Sequence, residues 1–124
     1  MTFEWKEYLE LAEEICGASM GTDMEARERA AISRAYYASF CMARNRLIPV
    51  FGQPPENGQA HAWVQGKYER HSNKKWRSVG NNLSRMRVIR NKADYDDTFP
   101  NCSNECSNAI NWSKDTLRAL SEIF

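Results

Sequence analysis

No run of apolar residues in this chain reaches the roughly 18 needed to cross a bilayer, so a membrane-spanning helix is not expected. Glycine-rich phosphate loops are missing too. Gly52, Gly58, Gly66 and Gly80 each stand alone, which removes nucleotide hydrolysis of the P-loop kind. Histidine is scarce, with only His61 and His71, and no Glu-x-x-His pairs mark a bundle built to carry metal or cofactor. The four cysteines, Cys16, Cys41, Cys102 and Cys106, lack CxxC spacing, and the acidic opening from Met1 to Glu14 resembles neither a signal nor a transit peptide. Disulfides are therefore not expected. Cys102 and Cys106, four apart, find no nearby His or Cys at the spacing a zinc site uses. The resulting expectation is a cytoplasmic protein with no metal and no cofactor.

What is present describes one folded unit. A chain of 124 residues can bury one core, so 1–124 reads as a single domain. Hydrophobic residues at 42% and charged ones at 27% are ordinary for a globular protein, which argues against wholesale disorder. The net charge of +1 hides an asymmetry. Between Lys67 and Lys92 nine cations face one carboxylate, Glu69, for a net +8 that leaves −7 on the rest of the chain. A segment this basic is either a solvated face or the footprint of an anion or nucleic acid.

Apolar spacing of three and four residues predicts helices throughout. The first runs from Phe3 to Cys16 on Trp5, Tyr8, Leu9, Ala12 and Ile15, and is ended by Gly17 and Gly21. Thr22 with Glu25 resembles a capping box for the second, about Asp23 to Ile48, whose apolar positions are dense enough to make it central. Pro49, Gly52, Pro54, Pro55 and Gly58 predict a loop over 49–59. A short helix follows at about Ala60 to Arg70, a fourth at about Lys74 to Ala93, weakened at Gly80, and a last from about Ser103 to Ile123. No segment alternates as a strand, so the fold class is all-α: an up-and-down bundle of about five helices.

Two arginines interrupt apolar lines. In the fourth helix Trp76, Val79, Leu83 and Met86 lead to Arg90 and then Ala93; in the second, Arg34 falls among Ala30, Tyr37, Cys41 and Ile48. A guanidinium does not shed its charge, so an inward one needs a carboxylate, a bound anion or a neighbouring subunit. Asp94, four residues after Arg90, is the local partner. Both arginines then read either as buried struts or as part of a binding site.

The segment AISRAYYASF from Ala31 to Phe40, with LSRMRVIRNKADYDD from Leu83 to Asp97 and the helix start His61-Ala62-Trp63-Val64, resembles the HEPN family over most of residues 22 to 122. The resemblance implies a dimerising helical bundle, a homodimer that places its Arg segments around one cleft. It also implies a metal-independent endoribonuclease of toxin–antitoxin or defence type, whose motif is Arg, a polar residue, a short spacer and His. Arg90 and Asn91 match the first half, and the position of the His holds Tyr95. A phenol with a pKa near roughly 10 is a poor base at neutral pH, whereas imidazole near roughly 6.5 suits the task. His61 is the candidate to supply the missing base. The expected catalytic set is thus Arg90, Asn91, Tyr95 and His61, and the expected RNA- or anion-binding set is Arg34, Tyr37, Arg87 and Asp94. Tyr36, Tyr37 and Tyr95 could stack on bases of single-stranded RNA. The other reading is a non-catalytic dimeric subunit that pairs with a nucleotidyltransferase or an antitoxin protein.

Overall fold

The structure is a computed structural model and describes residues 2–16 and 24–124. Five helices and no strand form among these residues, as the periodicity predicts: α1 (Lys6–Ile15), α2 (Met24–Phe51), α3 (Ala60–Glu69), α4 (Lys74–Tyr95) and α5 (Cys102–Ile123). None is long and apolar enough to cross a membrane. The predicted capping box at Thr22, and the glycines before it, lie outside the described residues.

The second helix is central because apolar or small side chains occupy most of its circumference. Ala31, Ile32, Ala35, Tyr36, Ala38, Ser39, Phe40, Ala43 and Leu47 are all buried, and α2 touches each of the other four helices. Two apolar clusters sit along it. The first joins Leu9 and Ala12 of α1 to Ala31 and Ile32 of α2, Ile89 and Ala93 of α4, and Cys106 and Ala109 of α5. The second joins Tyr36, Phe40 and Leu47 of α2 to Val64 and Tyr68 of α3, Val79 and Leu83 of α4, and Leu120 of α5. Early α4 therefore meets late α2, and late α4 meets early α2. This order makes the two antiparallel. Between the clusters, Ser113 donates to the Ala35 carbonyl at 3.0 Å and bonds Ser39 Oγ at 2.8 Å, so the buried hydroxyls between α2 and α5 are satisfied.

Several local expectations change. Pro49 does not stop α2, which continues through Val50 to Phe51. A proline this close to a helix end leaves only the Asn45 carbonyl without its donor. The stop is Gly52, whose φ of +82° suits glycine and whose N–H donates to the Ile48 carbonyl at 2.9 Å. The loop is accordingly 52–59, and it carries the chain back beside α2, so that His61 meets Tyr36 and Tyr68 meets the Ala43 carbonyl.

Gly80 has a packing reason rather than a weakening role. A Cβ there would lie 2.6 Å from the backbone nitrogen of Glu69 and 2.9 Å from its Cα, so the end of α3 approaches α4 only because the side chain is absent. The expectation of unpaired cysteines also fails. Cys16 and Cys106 are joined as a disulfide between the end of α1 and α5, with Cα atoms 6.5 Å apart, while Cys41 and Cys102 are free and buried. Nothing local announces a pair separated by 90 residues.

Candidate functional site

On α4 the buried stripe passes through Val79, Leu83, Met86, Ile89 and Ala93. Ile89 fills the apolar slot after Met86, and Arg90 lies at the edge of the stripe, its side chain 15% exposed. Its contacts are dense. Nη2 donates to the Tyr37 hydroxyl at 2.7 Å and Nη1 to Asn91 Oδ1 at 2.9 Å. Nε lies 2.8 Å from Asp94 Oδ2 but its N–H points off that line, so the pair is coulombic and the buried nitrogen makes no hydrogen bond. The guanidinium carbon also stands 5.0 Å from the Tyr37 ring centre and 5.8 Å from that of Tyr95. Arg90 thus directs its charge and two of its five N–H donors to α2 and to its own helix.

The other arginines divide. Arg34 does not join this cluster: it lies over the Tyr8 ring at 4.9 Å, which binds α2 to the residues of α1. Arg87, one turn before Arg90, is half-buried, and makes neither an ion pair nor a hydrogen bond among the described residues. Its charge acts on Tyr36 and His61. Arg87, Asn91 and Tyr95 recur every four residues, so they share one face of α4, and Tyr95 is 74% exposed there.

Beside Arg90 lies a stack of rings. His61, on the first turn of α3, packs flat on Phe40 at 4.1 Å, and Tyr36 stacks beside them, 5.8 Å from Phe40 and 5.6 Å from His61. Tyr36 and His61 also share a hydrogen bond of 2.5 Å between the hydroxyl and Nδ1. Arg44 of α2 stands over Phe40 at 6.0 Å. Of the residues singled out on α3 and α4, His61 and Arg90 contact Tyr36 and Tyr37, Asn91, Asp94 and Tyr95 contact Arg90, and Arg87 acts on Tyr36 and His61 through its charge. Phe40 belongs to the same plate, and its place four residues after Tyr36 is the helical signal for it.

The protonation states follow from these surroundings. Burial pushes the Tyr36 phenol well above the usual range, with Arg87 and Arg90 opposing less strongly, so Tyr36 keeps its proton. Burial, and then the charges of Arg87 and Arg90, lower the pKa of His61, so the ring is neutral at neutral pH. Among the described residues the 1%-exposed Tyr36 makes no second hydrogen bond, so the arrangement that satisfies both groups has its O–H donating to Nδ1. The proton of the neutral ring is then on Nε2. A ring in that tautomer offers a donor and has no free lone pair, so it is poorly arranged to take a proton from a 2′-hydroxyl. His71 serves elsewhere: its Nδ1 accepts from Asn73 N–H at 3.0 Å and its ring stacks on Trp76.

The basic segment does not form one continuous face. Arg77 donates to the carbonyls of His71 and Ser72, Lys75 pairs with Glu122, Lys67 lies over Phe51 and Trp63, and Arg85 over Trp112. Arg87 and Arg90 alone among its arginines reach the ring stack. One residue that sequence reasoning missed positions them. Arg29 of α2 donates through Nη1 to the carbonyls of Lys92, Ala93 and Asp96, which holds the end of α4 against α2. Among the described residues no three His, Cys, Asp or Glu side chains gather as a metal site. Compared with models of known families, with curated proteins and with solved structures, the chain has no match. The resemblance to HEPN proteins thus rests on its own residues.

Proposed function

We propose that this chain is an RNA-directed bundle of the HEPN kind that binds rather than cuts, gripping backbone phosphate with Arg87 while Arg90 holds the site together. The observation that supports this reading is Arg87, a guanidinium with no ion pair or hydrogen bond among the described residues, whose charge acts on Tyr36 and His61 and which shares a face of α4 with the exposed Tyr95. An arginine that has no carboxylate is ready for the bidentate contact that phosphate oxygens favour. Tyr95 adds a flat surface on which an unpaired base can rest. Cleavage is not part of the reading, because His61 offers a donor and Tyr95 is a weak base. The protein acts as a homodimer in the cytoplasm, in a toxin–antitoxin or defence setting.

The test is binding of a mixed single-stranded RNA pool in the presence of a chelator, followed by anisotropy and by gel. Wild type binds, leaves the RNA intact, and loses affinity steeply as salt rises from about 50 to about 200 mM. Arg87→Ala weakens binding about tenfold or more, the value of one charge-assisted contact of about 1.5–3 kcal/mol. A flat salt response sinks the reading. Chelator-resistant cleavage that disappears in His61→Gln would make the protein a metal-independent ribonuclease instead.

A second reading is supported by a different observation: Val88 and Tyr95, two turns apart on α4, are 54% and 74% exposed. Apolar side chains at that spacing suit contact with protein, and the chain would then be a non-catalytic subunit docking a nucleotidyltransferase or antitoxin partner. Under it RNA does not bind at any salt concentration, and Arg87→Ala leaves partner capture unchanged.

A further inference from the structure

Taken by itself, α1 has little to keep it helical. It is 10 residues long, short of the roughly 12–15 that an isolated helix needs in water. Its N-cap, Trp5, makes no side-chain bond, and its last turn carries Glu13 and Glu14 but no cation, the wrong sign for the negative end of a helix. What holds it is tertiary. Leu9 and Ala12 are buried in the first apolar cluster, Arg34 lies over Tyr8, and Glu13 pairs with Lys114 at 3.5 Å. Both members of that pair are nearly half exposed, so it adds little. The covalent tie to α5 is Cys16–Cys106.

The two sulfurs of this link have different surroundings. Cys106 is fully buried in the first cluster. Cys16, at the end of α1, is partly exposed and lines a cleft of about 320 Å³ with Glu13, Ser107, Ile110, Asn111 and Lys114. That volume lies at the low end of the range for small-molecule sites, about 300–1,000 Å³. The free thiols of Cys41 and Cys102 are themselves buried, so neither offers an exposed sulfur to compete.

We infer that Cys16 is a thiol-exchange site and that its link to Cys106 is a redox latch on α1: a low-molecular-weight thiol enters the cleft, attacks Cys16 and frees the end of α1 from α5. The thiolate attacks Sγ of Cys16, the bond to Cys106 breaks, and its electron pair leaves on Cys106 Sγ, which takes a proton from solvent. A mixed disulfide then stands at Cys16 and a thiol at Cys106. A second small thiolate attacks the small-thiol sulfur of the mixed disulfide, forming the small disulfide and expelling Cys16 as a thiolate that takes up a proton. Two thiols are oxidised and one protein disulfide is reduced. Relatching is the reverse of the first step: Cys106, held beside Cys16 by the packing of α1 on α5, attacks the mixed disulfide and expels the small thiolate. Cys16 is the sulfur attacked because exchange requires access. With the bond open, the last turn of α1 keeps only the weak hold described above.

The experiment treats the whole protein with reduced glutathione under native conditions, quenches with acid and maps the peptides by mass spectrometry. A glutathionyl group should appear on Cys16 and on no other cysteine, and the rate of opening should rise in proportion to glutathione. That rate should stay flat in urea below the unfolding transition, because the attack is on the folded protein. A rate that climbs steeply with urea, as when reaction needs global unfolding, overturns the inference, and so does a glutathionyl group on Cys106. Two variants test the choice of sulfur with oxidised glutathione: Cys106→Ser should be modified at Cys16 at least about tenfold faster than Cys16→Ser is at Cys106. Equal rates in variants shown to be folded by circular dichroism overturn that choice; if either variant is unfolded, the wild-type map and its urea dependence decide. Hydrogen exchange reads the latch itself. Reduction should speed exchange of the amides from Leu9 to Cys16 about tenfold or more and leave those of central α2 unchanged. Unchanged protection of α1 in the reduced protein overturns the latch.

Discussion

Two arginines one turn apart on α4 have opposite surroundings. Arg90 is mostly enclosed and committed to Tyr37, Asn91 and Asp94, whereas Arg87 is partnerless among the described residues. Removing Arg90 strands the Tyr37 hydroxyl and the Asp94 carboxylate, both of which keep some access to water, so the cost falls short of that for a deeply buried pair. Arg90→Ala is expected to lower stability by about 1–3 kcal/mol in urea unfolding, and Arg87→Ala to change it by less than about 0.5 kcal/mol. Equal losses would mean that the two side chains have no such division of roles. That Arg90 interrupts an apolar pattern is legible in the sequence. That its neighbour is the one without a partner is not, because which donors find partners depends on where α2 and α3 lie.

At the scale of helices, ends and crossings carry the information that periodicity lacks. Asn73 caps α4 by accepting from Lys75 N–H at 2.8 Å and more weakly from Trp76 N–H at 3.4 Å. Gly80 marks the crossing of α3 and α4. In an isolated helix a Gly→Ala change gains about 1 kcal/mol. Here the added Cβ meets the backbone of Glu69, which cannot rotate away, and the sign reverses. Gly80→Ala should cost about 1–3 kcal/mol, as overpacking does, and Asn73→Ala about 1 kcal/mol, as loss of a cap does. Thermal or chemical unfolding of the two variants checks both signs, and a stabilised Gly80→Ala would show that the crossing is looser than described. The five helices themselves were legible, with ends displaced by a few residues. Pro49 misled because a proline is costly in the middle of a helix and tolerable near its end.

For the molecule as a whole, the Cys16–Cys106 link ties α1 to α5 across 90 residues of chain. Closing so long a loop restricts the unfolded ensemble, and a disulfide of this kind typically contributes about 2–4 kcal/mol. Cys16→Ser should lose that amount without reductant, and reductant should bring wild type to the same level. Alkylation of the unfolded, unreduced protein should modify only Cys41 and Cys102. Four modified cysteines would contradict the pairing. The charge of the molecule is also distributed by its tertiary structure: a segment of net +8 turns much of its cation content to carbonyls, rings, Glu122 and Asp94.

Local order alone determined which stretches are helical and which faces are apolar, because residues three and four apart share a helix face and need no distant partner to do so. It also made Arg90, Tyr95 and His61 visible as residues that break a pattern or complete a motif. Only the tertiary structure decided that His61 reaches Tyr36 across 25 residues, that Arg29 caps α4 across 64, and that Cys16 finds Cys106 across 90. Such partners are brought together by the packing of whole helices, which acts on shape and burial summed over many side chains and leaves no mark at the spacing of a single turn.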